Sequence, residues 1–522
     1  MRDLRRLGRH SWRSCFGALG IVLAMLASAS GYNPLPAASA ERDDEPAVTH
    51  HQITIAGKVL KYTARAGFLS LRDEFNKIHA RIFYVSYTLD NPVADRPRPL
   101  AFVWNGGPGA PASLLHLGAL GPMRVKDLEE YTSPPPPYEL TVNESTWLEV
   151  TDLVFVDPVG TGYSYATSPE YAKEFWNPKG DIDSIAEFIR LYLVHYGLYP
   201  QPPTFLVGES YGTFRAAGVA ATLTSKGTQV AGVVLISPVL TFRSRGEEQD
   251  DLSYVLRLPS YTAAAFVHRK LPSELLSDFD NTLRQAERWA EEVYSVALLK
   301  GSRLSPAERE QVLKGYVRFT GLDTAYVDRQ ELRVGMDEFA SQLLREQGKV
   351  LGHYDTRVTA DTTKSGGQYD PRMDPSLNTR GTSVLIVPYL RKELGFESDA
   401  FYAGPFGGRW PPPESPRGDW MSTRWDWRTG EADRSAALAE ALHKNRSMRV
   451  MMVSGYFDLA TPYFDAVYTV AHMGLPPELR NNVELVRYRG GHMVYLDPQL
   501  RREFQRDFAA FIEKALAPVP GK

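Results

Sequence analysis

From residue 99 onward, short runs of uninterrupted apolar residues alternate with stretches whose apolar positions recur every three or four residues. The runs are Pro99–Trp104, Leu153–Val156, Thr204–Val207 and Gly232–Leu235. The periodic stretches predict helices over Asp181–Tyr196 and Tyr211–Ser225. Apolar strands separated by helices predict a mostly parallel sheet covered on both faces. Ahead of them, Gln52–Tyr62 and Ala80–Leu89 are rich in Ile, Val, Tyr and Phe and predict strands bounded by turns. The rhythm breaks near residue 241. Helical patterns then cover Pro272–Leu299 and Ser305–Phe319, with loops at Gly366-Gly367 and Pro411-Pro412-Pro413. It resumes with a helix Ser435–Lys444, a strand Arg449–Ser454, a helix Tyr463–His472, a strand Val483–Tyr488 and a helix Gln499–Ala515. The reading is one α/β core, residues 41–240 and 430–522, split by a large helical insertion, 241–429. The insertion leaves after one core strand and returns before another, so it is expected over the C-terminal ends of the strands as a lid. No fixed-period repeat marks a solenoid or propeller.

The first 40 residues read differently. Arg2, Arg5, Arg6, Arg9 and Arg13 precede an apolar run, Cys15–Ala29, and Ala38-Ser39-Ala40 stands before a charged start at Glu41. That order predicts a secretory signal peptide, with an earlier cut after Ala29 as the alternative. A membrane anchor is the competing reading, but the run is shorter than the about 20 residues a span needs. Arg5-Arg6 sits in a poor context for a twin-arginine signal. The expectation is an exported protein, periplasmic or extracellular and of bacterial type, with no span after cleavage. Its 522 residues include one cysteine, Cys15, so disulfides and Cys-based metal sites are excluded. The net charge of −3 makes no case for nucleic acid as a partner. No metal motif or cofactor site is present; His50-His51 reads as part of an exposed tail.

The chemistry concentrates at strand ends. Gly208-Glu209-Ser210-Tyr211-Gly212 lies between a buried strand and a helix, the setting in which a G-x-S-x-G turn exposes a nucleophilic serine. A serine hydroxyl needs a base. Five histidines follow: His268 and His353 fall in the insertion, and His443 and His472 lie on predicted helices. His492 sits in Gly490-Gly491-His492-Met493 after a strand, where α/β sheets bind ligands. Asp458, ending the strand before it, is the candidate to orient that imidazole. Asp465 competes but reads as a helix-surface charge. Asn105-Gly106-Gly107-Pro108-Gly109 also ends a strand. It suits the first half of an oxyanion hole, with the Tyr211 N–H as the second. A phosphate loop would require a Gly-Lys-Ser/Thr ending that is absent.

These blocks, with Val156-Asp157-Pro158-Val159-Gly160-Thr161-Gly162-Tyr163-Ser164 and Gly491-His492-Met493-Val494, occur in the order in which they occur in the serine carboxypeptidases. The chain resembles that family of α/β-hydrolases over roughly residues 100–495. The resemblance implies a triad Ser210, Asp458 and His492. It implies an oxyanion hole from Gly107 and Tyr211, and substrate contacts from Asn105, Gly106, Glu209 and Met493. Asn105 and Glu209 would grip the C-terminal carboxylate of a peptide substrate, Glu209 as a neutral acid at low pH. The family's usual second acidic residue is replaced by Ala119, its usual cysteine by Ala110, and its usual tryptophan by Val103. The expected activity is release of C-terminal residues from peptides through an acyl-enzyme. The alternative is an esterase or acyltransferase on the same scaffold, and a third class is a catalytically inactive binding partner. Preferred side chains and oligomeric state are not legible.

Overall fold

The protein is described by a computed structural model covering residues 45–92, 97–126, 137–242, 250–362, 374–377, 380–404, 425–427 and 432–517. The expected signal peptide and the loops Gly366-Gly367 and Pro411–Pro413 lie outside the described residues.

Nine strands form the main sheet: β1 Ala47–Ile55, β2 Lys58–Arg72, β3 Ile78–Leu89, β4 Leu100–Trp104, β5 Asp152–Val156, β6 Thr204–Glu209, β7 Gly232–Ile236, β8 Arg449–Gly455 and β9 Val483–Tyr488. Their order is β1-β2-β3-β5-β4-β6-β7-β8-β9, and a two-residue strand, Tyr165–Ala166, pairs with β3. β1-β2, β2-β3 and β3-β5 pair antiparallel, and from β5 through β4, β6, β7, β8 and β9 the pairing is parallel. The helices used below are α1 Pro178–His195, α2 Tyr211–Ser225, α3 Asp251–Val267, α4 Phe279–Trp289, α5 Pro306–Thr320, α6 Arg380–Lys392, α7 Ser435–Lys444, α8 Tyr463–His472 and α9 Pro498–Leu516.

Side-chain alternation sorts the parallel strands cleanly. Phe102, Trp104, Val154, Val156, Leu206, Val233, Leu235, Val450 and Met452 face one core together with residues of α1, α2 and α7. Ala101, Val103, Leu153, Phe155, Phe205, Val207, Val234, Ile236, Met451 and Val453 face the other, with residues of α6 and α9. Burial on both faces is why these strands read as continuous apolar runs.

Three expectations need refinement. The run Gln52–Tyr62 is not one strand: Ala56 and Gly57, at φ 48 and 82, turn β1 into β2. Period alone cannot see a two-residue hairpin whose first turn residue is alanine. His50 and His51 are therefore not tail; they lie on β1, where His50 Nδ1 meets Thr63 Oγ1 at 3.1 Å. The stretch Pro272–Leu299 is helical but segmented. A short turn at Ser273–Leu275 precedes α4, which continues through a wider turn at Ala290–Tyr294 into Ser295–Lys300. By contrast α5 opens on a full capping box, Ser305 with Glu308.

The insertion closes on itself where it leaves the core: Thr241 bridges Asp433, and Phe242 N–H donates to Ala432 O at 2.9 Å. Leu256 and Ala263 of α3 and Phe279 and Leu283 of α4 pack on Phe457, Tyr463 and Phe464, which follow the C-terminal end of β8. Among the described residues no helix is long and apolar enough to cross a membrane.

Candidate active site

Ser210 stands between β6 and α2 at φ 56, ψ −128. That left-handed backbone is costly for a serine, of order 1–3 kcal/mol, and persists because its surroundings hold it. Ser210 N–H donates to Ile236 O at 2.9 Å, and Ser210 O accepts from Thr213 N and Oγ1 at 2.8 and 2.7 Å. The flanking glycines serve close approach. A Cβ on Gly106 would lie 2.5 Å from Glu209 O and 2.6 Å from Tyr211 N; one on Gly212 would lie 2.9 Å from Asn105 O. The loop after β4 thus rests directly on the first turn of α2. Gly107 continues that loop at φ 102, and the Tyr211 N–H lies against its neighbour Gly106.

Asp458 and His492 meet through Oδ2 and Nδ1 at 2.7 Å, with exposures of 0 and 4 %. Asp458 Oδ1 also accepts Thr461 N–H at 2.9 Å, and Oδ2 accepts the Thr461 hydroxyl, whose oxygen is 3.1 Å from His492 Nδ1. The competitor Asp465 is on α8 as expected but is buried, not a surface charge. His443 and His472 are exposed on their helices. His268 Nε2 is 2.6 Å from Thr356 O, and His353 is buried, its imidazole pushed down to about 3 by desolvation.

Backbone ties connect Ser210 and His492. Beside Ile236, which holds Ser210 N–H, Ser237 donates its own N–H to Val453 O at 2.7 Å and its hydroxyl to His492 O at 2.5 Å. Ser237→Ala would remove a buried hydrogen bond to the His492 carbonyl, a loss of about 1–3 kcal/mol, and loosen His492. The expected result is a lower Tm and a kcat reduced by about three- to tenfold, read by calorimetry and steady-state kinetics. The insertion adds a strap. Tyr354 O accepts His492 N–H at 2.6 Å, Thr356 N–H donates to Phe457 O, and Leu459 N–H donates to His353 O. Arg357 Nη1 reaches Arg489 O at 3.0 Å, and the Tyr354 ring stands edge-on to the imidazole at 5.2 Å.

Glu209 is 3 % exposed, next to Ser210. Its Oε1 accepts the Tyr495 hydroxyl at 2.7 Å and its Oε2 accepts the Asn105 amide N–H. Asn105 Oδ1 is taken by Leu115 N–H at 3.0 Å, so the amide's orientation is fixed. Burial raises the Glu209 pKa; the nearby His492 charge and the two hydrogen bonds oppose the shift without cancelling it. The carboxyl is thus held behind Asn105 rather than standing free. Met493 is buried in the second core cluster. Asp157, in the block before Ser164, accepts Ala112 N–H at 2.8 Å and is pushed up to about 7 by burial.

Sequence reasoning missed Thr461, Ser237, Tyr495, Asp181 and Arg215. Arg215 had a signal: it is a lone charge in the apolar helix Phe214-Arg215-Ala216-Ala217. Thr461, just ahead of a Pro-initiated helix, had a weaker one. Tyr495 had none, because its reach to Glu209 depends on tertiary packing.

The sheet order and the strand–turn–helix that presents Ser210 define an α/β-hydrolase. Residues 56–239 match the family model for serine carboxypeptidases. The pheromone-processing carboxypeptidase KEX1 of Fusarium vanettenii is 25% identical over 320 residues, 60% of this chain and 42% of that protein. The corresponding protein of Arthroderma otae is 33% identical over 156 residues, 30% of this chain and 22% of its own length. The chain therefore spans less than half of the length of these curated relatives. The solved prohormone-processing carboxypeptidase of Saccharomyces cerevisiae shares the fold, with a TM-score of 0.51 at 16% identity over 88% of this chain and 93% of that one.

Proposed function

We propose that the chain is a serine carboxypeptidase that releases C-terminal residues from peptides through an acyl-enzyme on Ser210. Ser210 Oγ attacks the scissile carbonyl as His492 Nε2 takes its proton. Asp458 holds Nδ1–H and with it the productive tautomer. The Gly107 and Tyr211 N–H groups receive the developing oxyanion. His492 returns the proton to the leaving amine, and water repeats the sequence on the acyl-enzyme. The same reading takes the Arg-rich N-terminus as an export signal.

The observation that carries the peptidase reading is the buried Asn105–Glu209–Tyr495 unit beside the nucleophile. A side-chain amide paired with a carboxyl suits a substrate carboxylate, provided that Glu209 is neutral. Because burial raises the Glu209 pKa, the acid remains neutral at pH values where an ordinary glutamate is ionised. As pH rises through that raised pKa, the anion opposes a substrate carboxylate in a dry site. The kcat/KM for a blocked dipeptide with a free C-terminus should therefore fall at high pH, and that of its amide should not. Glu209→Gln removes the charge and should flatten the fall for the free acid alone. Identical pH profiles for acid and amide in the parent enzyme would transfer the assignment to an esterase or acyltransferase. That second reading draws on one observation of its own: both Glu209 oxygens are already engaged within the protein, and Ala119 supplies no second carboxyl.

A further inference from the structure

Beneath the site lies an ion pair that the chemistry above does not use. Arg215, on the third position after Gly212 in α2, is fully buried, and so is Asp181 in the first turn of α1. Arg215 Nε donates to Asp181 Oδ2 at 2.8 Å. Its Nη1 donates to the main-chain carbonyl of Asn105 at 2.8 Å. Tyr211 completes the group: its hydroxyl donates to the same Asp181 Oδ2 at 3.0 Å, and the guanidinium lies 5.2 Å from its ring centre.

We propose that Arg215 and Asp181 are a positioning pair that sets the two halves of the oxyanion hole relative to each other. This rests on the reading of the Gly107 and Tyr211 N–H groups as oxyanion donors. The Asn105 carbonyl belongs to the peptide plane that opens the Gly106-Gly107 turn. In a planar peptide, fixing the direction of C=O also fixes that of the following N–H. Arg215 therefore sets the starting plane of the turn that carries the Gly107 donor. The other donor is the N–H of Tyr211, whose side chain is anchored by the same carboxylate. One buried charge pair thus ties together the end of β4, the start of α2 and the start of α1. A second tie, Trp104 Nε1–H to Gly212 O at 2.9 Å, joins β4 to α2 without reaching Asn105. A guanidinium suits this task because its rigid fork serves two acceptors on different elements at once. An apolar residue would fill the same space among the alanines and glycines of α2 but would orient nothing.

Arg215→Lys keeps the charge opposite Asp181 and cannot hold both acceptors. The double variant Asp181→Leu/Arg215→Met removes both charges, a replacement that buried pairs often tolerate. Each is to be measured against the parent with an aryl ester and a blocked dipeptide, with kcat expressed per site titrated to completion by a fluorophosphonate. The expected result is a kcat lowered by about 10- to 100-fold on both substrates, with KM changed by less than about threefold. Affinity for a boronic acid that forms a tetrahedral adduct should weaken in proportion to kcat/KM. If the variants that fold keep the parent kcat per titrated site and lose only thermal stability, the pair is structural and the inference is overturned. Absence of Ser210 labelling in the parent would overturn the serine-hydrolase reading itself, and this inference with it.

Discussion

Ser210→Ala is expected to lose turnover by about 10⁴–10⁶-fold while keeping its fold. The nucleophile is removed outright, whereas the oxyanion donors and binding contacts remain and sustain a residual rate. The fold should survive because Ser210 is anchored by its backbone. The N–H to Ile236 O and the carbonyl to Thr213 are untouched by the substitution. The left-handed φ of 56 is no more strained for alanine than for serine. Three measurements define the result: an unchanged far-UV spectrum and Tm, loss of ester and peptide turnover, and loss of labelling by a fluorophosphonate. Labelling that persists at another residue would remove Ser210 from the mechanism.

Asp458→Asn should be nearly as severe, about 10⁴-fold in kcat near neutral pH. Asp458 accepts three hydrogen bonds, from Thr461 N, Thr461 Oγ1 and His492 Nδ1. An asparagine has one acceptor oxygen, and Thr461 N–H, fixed by the backbone, claims it. The amide NH₂ then faces His492 Nδ1 and donates to it. The imidazole must carry its proton on Nε2 and cannot accept one from Ser210. The expected signature is a kcat collapse with KM little changed and a parallel drop in the rate of phosphonylation. Asp465→Asn is the internal control, since that carboxylate is also buried in the first turn of α8. Retention of activity in the Asp458 variant and loss in the Asp465 variant would reverse the assignment.

The parallel half of the sheet was legible because strands buried on both faces leave unbroken apolar runs, as in Leu153–Val156 and Gly232–Leu235. The turn at Ala56-Gly57 was not, since alanine at positive φ leaves no mark in composition. Ser210 and the Asp458–His492 contact were legible because chemistry at strand ends comes with glycines that permit close approach. Arg215 is different. Its importance lies in which carbonyl it reaches across 110 residues of chain, a distance that no periodicity encodes. Tyr495 likewise reaches Glu209 across 286 residues. The groups that hold Glu209, Asn105 and Tyr495, both belong to the core.

The strap at residues 353–357 has a consequence for engineering. Insertions of this kind are attractive units for exchange, because a graft from a relative would bring new pocket walls while the hydrolytic core stayed behind. Here the graft would carry away the carbonyl that holds His492 N–H and the contacts that pin the loops around Asp458 and Arg489. Altered selectivity and impaired proton transfer would arrive together in any such chimaera. A chimaera that retained residues 353–357 of this chain, with both neighbouring loops, would separate the two effects and allow selectivity to be redesigned on an intact acid–base pair.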